Sequence, residues 1–194
     1  MAKVQRTRTE PPHHKTRLVR NFSGRNGAPI QAIAIHSTES NDIANSRDDL
    51  AGVRAWFDNP ASQASSHLGV DGDGHAEVWV PESAKAWTIL QLNPVTLNIE
   101  MVGRAAQPKS AWERAQIKKA AKFVAYWSIK YGLPIQRGKV RAVNGWPVIS
   151  KKGVIRHSDL TNAGFGSHTD PGANFPMADL LKAAQWYRKN GWER

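Results

Sequence analysis

An unbroken apolar run, Ala32-Ile33-Ala34-Ile35, ends on His36 and passes straight into Ser37 and Thr38. A strand that apolar belongs inside a core, and an imidazole at its end needs either a hydrogen-bond partner or a ligand. A second short strand, within residues 153–160 (GVIRHSDL), also ends on a histidine, His157. Residues 96–102 (TLNIEMV) alternate between them, with Leu97, Ile99 and Met101 on one face and Asn98 and Glu100 on the other. Period-two alternation of this kind marks a strand with two unlike faces.

Helical spacing separates these strands. Leu50, Val53, Trp56 and Phe57 predict a helix from Asn45 to Phe57, ended by residues 59–62 (NPAS). Ser110 and Glu113 form a capping-box pattern ahead of Ile117, Ala120, Ala121, Val124, Trp127 and Tyr131, with Gly132 and Pro134 as the stop. A last helix follows Pro176, with Met177, Leu180, Leu181, Ala184 and Tyr187 inward and Gly191 past its end. Residues 66–80 read as a hairpin around an Asp-Gly-Asp-Gly turn, and residues 135–153 as a basic loop. The fold class expected is α/β: a single domain with a central mixed sheet flanked by helices, over residues 29–194. Residues 1–28, polar and broken by Pro11, Pro12, Gly24 and Gly27, are expected to form a basic N-terminal arm.

The chain has 194 residues and no cysteine, which excludes disulfides and thiolate–metal sites. Any metal must be held by His, Asp or Glu. No run approaches the roughly 18–20 apolar residues that span a bilayer. The basic N-terminus has no apolar segment of the secretory kind. Formal net charge is +11, carried by the first 20 residues, by Lys118, Lys119 and Lys122, and by residues 137–152. It reads as a solvated basic face or as attraction to an anionic matrix.

His36 and His157, with Asp170 in the later stretch HTDPG, make a donor set common at open zinc sites. The wide spacing leaves two readings open: a metal centre, or satisfied histidines at strand ends.

The words IHSTES, SSHLGVDGDGHAEVWVPESAKAWT, LNIEMVG and GVIRHSDL…SHTDPGANFP fall in that order over about residues 30–190. They resemble the zinc-dependent N-acetylmuramoyl-L-alanine amidases of the type-2 amidase and peptidoglycan-recognition fold, which include phage endolysin catalytic domains. The resemblance implies one zinc ion per chain, held by His36, His157 and Asp170. It implies Glu100 as general base, from the family pattern I-G-I-E-x-x-G. Where many members carry a lysine two residues before the third ligand, this chain has His168. That residue either donates a hydrogen bond to the oxyanion or lines the cleft. A tyrosine of other members is replaced by Ser66, so the chain is closer to the glutamate-using branch. Ser66, the neighbouring His67, and Trp87 are the expected substrate-binding positions, although Trp87 and Trp146 fit a core equally well.

Peptidoglycan is therefore the expected partner, with no nucleic acid, no transmembrane segment and a monomeric state. Synthesis in a host cytoplasm without a signal peptide and action on the cell wall are expected. The chain end just after the last helix leads to the expectation of no separate C-terminal wall-binding module, with either the basic arm as its substitute or the chain as an excised catalytic domain. Two alternatives stay open: a non-catalytic peptidoglycan-binding module of the same fold, and a basic regulator of nucleic acid or a protein partner. No helix-turn-helix or zinc-finger pattern accompanies Lys151, Lys152 and Arg156. The DGDG stretch opens like a calcium loop but lacks the glutamate such a loop needs, so a hairpin turn is expected. Asp159 is expected to cap the loop after His157.

Overall fold

A computed structural model describes residues 9–41 and 49–192. Its main sheet has six strands in the order β1 (Lys15–Thr16), β5 (Ala76–Val78), β4 (Leu68–Val70), β7 (Thr96–Met101), β3 (Ala32–Ser37) and β10 (Gly153–Arg156). β4, β7, β3 and β10 run parallel to one another, while β4 and β5 form the antiparallel hairpin expected at residues 66–80. Its turn is closed by Asp71, whose carboxylate accepts from the His75 backbone N–H at 2.7 Å.

The central strands carry two unlike faces. Ile33, Ile35, Leu97, Ile99 and Met101 are buried against α2 (Arg114–Tyr131) and α4 (Met177–Asn190). Each such side chain contributes about 1.5–3 kcal/mol on leaving water, enough to hold both helices on this face. Ala32, Ala34 and His36 on β3, and Thr96, Asn98 and Glu100 on β7, alternate with that set and so point to the opposite face. There Ala32 and Ala34 pack with Ile89, Leu92, Ile155 and Leu160. α1 (Asp49–Asp58) belongs to a third cluster with Val19, Trp79 and Val80. Among the described residues, no helix is long and apolar enough to cross a membrane.

From Lys15 onward the N-terminal arm is laid onto the domain. β1 joins the sheet edge beside β5, and β2 (Phe22–Gly24) pairs with β6 (Ala84–Ala86). Asn21 donates to the carbonyls of Asn59 and Ala64, and Arg25 to those of Thr96 and Ala84.

Several local expectations change. Residues 135–153 hold a hairpin, β8 (Lys139–Val143) and β9 (Trp146–Lys151), not a loop. Asn144 and Gly145, with φ of 51° and 77°, supply the two left-handed positions of a tight hairpin turn. α2 starts at Arg114, because Ser110 lies in a 3-10 turn (Lys109–Ala111) and caps nothing. Its stop is as expected, with Gly132 left-handed at φ 64°. The strand β10 ends at Arg156, and His157 opens a short helix, α3 (His157–Asn162). Asp159 caps that helix, accepting from the Arg156 backbone N–H at 2.7 Å and pairing with Arg137. The expected helix start at Asn45 lies outside the described residues.

Candidate active site

Three neighbouring parallel strands bring the chemistry together at their C-terminal ends. His36 is the fifth residue of β3 and is in register with Glu100 of β7. Arg156 of β10 is in register with Ile35, so His157 leaves the sheet next to His36. Crevices beyond the carboxyl ends of parallel strands are where such sheets bind ligands. Asp170 arrives from the Gly- and Pro-rich segment. Its carbonyl accepts from the Ser158 N–H at 2.9 Å, which ties that segment to the start of α3.

The Nδ1 atoms of His36 and His157 lie 3.1 Å apart. The Asp170 carboxylate stands 3.4 Å from the first and 3.2 Å from the second. All three residues are buried. A tetrahedral ion with bonds of about 2.0–2.1 Å needs donor separations of about 3.3–3.4 Å. The observed edges match. The Nε2 of His36 lies 3.1 Å from Asn98 Oδ1, an acceptor, so it carries the ring proton and Nδ1 presents a lone pair. A lone pair facing a carboxylate is repulsive unless a cation lies between them. The residues therefore fit a divalent cation. Burial raises the Asp170 carboxyl, but the two imidazoles beside it, His157 first and then His36, outweigh burial and hold it well below the usual range.

A cleft of about 660 Å³ opens over this group. His36, His157, His168, Asp170 and Glu100 all line it. Glu100 is buried, and its carboxyl is raised well above the ordinary value by burial and by the charges of Asp170 and Glu39. The His168 ring stacks on His157 at 4.0 Å between centroids, with Nδ1 3.4 Å from Asp170. Burial and the neighbouring His157 lower its pKa.

The expected substrate-binding positions divide. Trp87 lines the cleft and donates its indole N–H to Ser23 Oγ at 3.0 Å. Ser66 and His67 are fully buried and do not line it, a departure from expectation that follows from their place on the covered part of the face. Burial and then Arg25 push His67 down to about 3. Sequence reading missed Trp56, assigned above to a core-facing stripe. It is 58% exposed and forms part of the cleft wall with Val53 and Phe57. Trp146 is also exposed, at the far hairpin, and not in a core.

Fold and site together define an α/β protein with a buried two-histidine, one-carboxylate group, able to hold a metal ion, at the end of a parallel strand set. The chain belongs to the N-acetylmuramoyl-L-alanine amidase family Amidase_2, whose model matches residues 26–173. N-acetylmuramoyl-L-alanine amidase A of Achromobacter lyticus is 32% identical over 92 residues. That match takes in 47% of each protein, so the chain spans about half the length of this curated relative. The same fold occurs in the Staphylococcus aureus hydrolase AmiA, with a TM-score of 0.68 and 20% identity over 97% of this chain and 90% of that one. It also occurs in the endolysin amidase LysCS of Clostridium intestinale, with a TM-score of 0.60 and 17% identity over 91% and 98%.

Proposed function

We propose that the chain is a zinc-dependent hydrolase that cleaves the amide between the N-acetylmuramic acid lactyl group and L-alanine of peptidoglycan. The observation that carries this reading is the convergence of His36, His157 and Asp170 at zinc-like separations, inside a cleft that also contains Glu100. Membership of the amidase family supports the substrate class.

His36 Nδ1, His157 Nδ1 and Asp170 would hold the zinc ion, which when bound would supply a Lewis acid for the scissile carbonyl and lower the pKa of water. Glu100 takes a proton from the attacking water as its oxygen adds to the lactyl carbonyl carbon. When the carbon–nitrogen bond breaks, Glu100 returns that proton to the leaving alanine amine. Its raised pKa suits both roles, since a carboxylate with increased proton affinity is a better base and its carboxylic acid can still return the proton. His168 stands beside the donor set and offers a hydrogen bond to the oxyanion. Trp56 and Trp87 give the cleft apolar walls on which sugar or peptide faces can pack. The net charge of +11 draws the protein to an anionic wall.

The test is digestion of purified peptidoglycan with and without a chelator. The reading requires new L-alanine amino termini that vanish on chelation and return with zinc. Wall that is bound and never cut supports the non-catalytic alternative instead.

A further inference from the structure

The site face of the sheet carries a line of polar side chains that runs from the cleft into the interior. We infer that Asn98 and His67 are positioning residues that lock His36 in the tautomer whose Nδ1 faces the metal. This rests on the reading of His36 as a ligand.

The backbone N–H of Asn98 donates to His67 Nδ1 at 3.1 Å, so that nitrogen bears no proton. The proton of a neutral His67 must then lie on Nε2, which is 3.2 Å from the Ala84 carbonyl. Arg25, with a terminal nitrogen 3.0 Å from the same Nε2, disfavours a second proton on the ring.

His67 Nδ1 next determines how the Asn98 amide is turned. The Asn98 side-chain nitrogen lies 3.3 Å from His67 Nδ1 and 3.4 Å from Thr96 Oγ1. Thr96 donates its hydroxyl proton to the Leu92 carbonyl at 3.0 Å, so its oxygen is an acceptor towards Asn98. Both neighbours on that side are acceptors, and the NH2 group belongs there. Asn98 Oδ1 is left pointing at His36 Nε2, 3.1 Å away. An acceptor at that place demands a proton on Nε2 and leaves Nδ1 free to ligate.

All four residues are essentially closed to solvent, so water cannot substitute for a lost partner in this chain. Outer partners of ligating histidines typically matter by about 10–100-fold in metal affinity. Here the hydrogen-bonded line runs from the Ala84 carbonyl, beside the N-terminal arm, to the metal-facing ring of His36.

The test uses the full chain, with zinc as the probe. Long-range nitrogen–proton NMR of the histidine rings is expected to show His36 and His67 both protonated at Nε2. A proton on His36 Nδ1 in the metal-free chain overturns the inference without any substitution. Zinc affinity is then measured by competition with a chromophoric chelator. Asn98→Leu is expected to weaken zinc about 10–100-fold. Asn98→Asp, which keeps an acceptor for His36 but sets an oxygen against His67 Nδ1 and Thr96 Oγ1, is expected to lose less zinc affinity than Asn98→Leu. If the parent binds zinc and Asn98→Leu binds it equally well, the positioning role is wrong. If the parent binds no zinc, the metal reading itself is wrong, and this inference with it.

Discussion

His36 Nδ1 and His157 Nδ1 face each other across 3.1 Å, although 121 positions separate them in the chain. The pairing of β3 with β10 creates that meeting. No local motif contains it, and the sheet supplies what the sequence spacing could not.

Glu100 is assigned the proton transfers, so Glu100→Gln should retain zinc and the fold while losing turnover. The substitution is close to isosteric and removes a buried charge. A fall in kcat of about 10²–10⁴-fold is expected, the usual worth of a positioned acid–base group. Steady-state cleavage of a soluble muropeptide, with zinc content measured alongside, checks it. Undiminished kcat would remove Glu100 from the mechanism.

Trp56 forms cleft wall and is more than half exposed, so it holds little of the core together. Trp56→Ala should raise KM for glycan-bearing substrate while leaving zinc content unchanged. Stability should shift by no more than about 0.5 kcal/mol, the usual range at exposed positions. Thermal melts and initial rates on the same preparation separate the two effects.

The buried neutral His67 makes the fold sensitive to acid. Its pKa is about 3 in the folded chain against an ordinary 6.5. The unfolded state therefore binds the extra proton first, and stability is full above 6.5 and lost as pH falls towards 3. Between pH 7.5 and pH 5 the loss from this one group is about 2 kcal/mol. Urea unfolding of the parent at both values, compared with His67→Gln, should show a smaller pH difference in the variant. Equal differences would mean that His67 is not the titrating group.

Gly69 is required by a neighbour and not by its own backbone. A Cβ there would sit 2.1 Å from the indole of Trp79, which is fully buried and unable to withdraw. Gly69→Ala should destabilise at the upper end of the about 1–3 kcal/mol typical of overpacking. Because Gly69 is in register with Glu100, the variant should also disturb turnover. Denaturant midpoints of the parent and variant decide the first point.

Much of the frame was legible because burial imposes periodicity. β3 and β7 lie in the middle of the sheet, and their alternation separates the helix-facing residues from His36, Asn98 and Glu100. α2 and α4 show helical stripes, with Gly132 and Gly191 past their ends. The β8–β9 hairpin was illegible for the opposite reason. Most of its residues are exposed, so no apolar alternation marks it, and the Asn144-Gly145 pair was its remaining signal. The capping-box pattern at Ser110 misled because Pro108 and a 3-10 turn occupy the position where the helix was expected to start. Trp56 sits among residues at core-like spacing, and only the three-dimensional position of α1 shows it at the cleft. The positioning role of Asn98 depends on which partners meet each end of its amide, which one-dimensional spacing does not encode.

The proposed chemistry depends on His36, His157 and Asp170 holding one divalent zinc ion. The decisive experiment is elemental analysis of the purified parent against His157→Ala. One zinc per chain is expected in the parent and none in the variant, with both proteins folded by circular dichroism. Equal zinc in the two proteins, or a folded parent that takes up none, would contradict it.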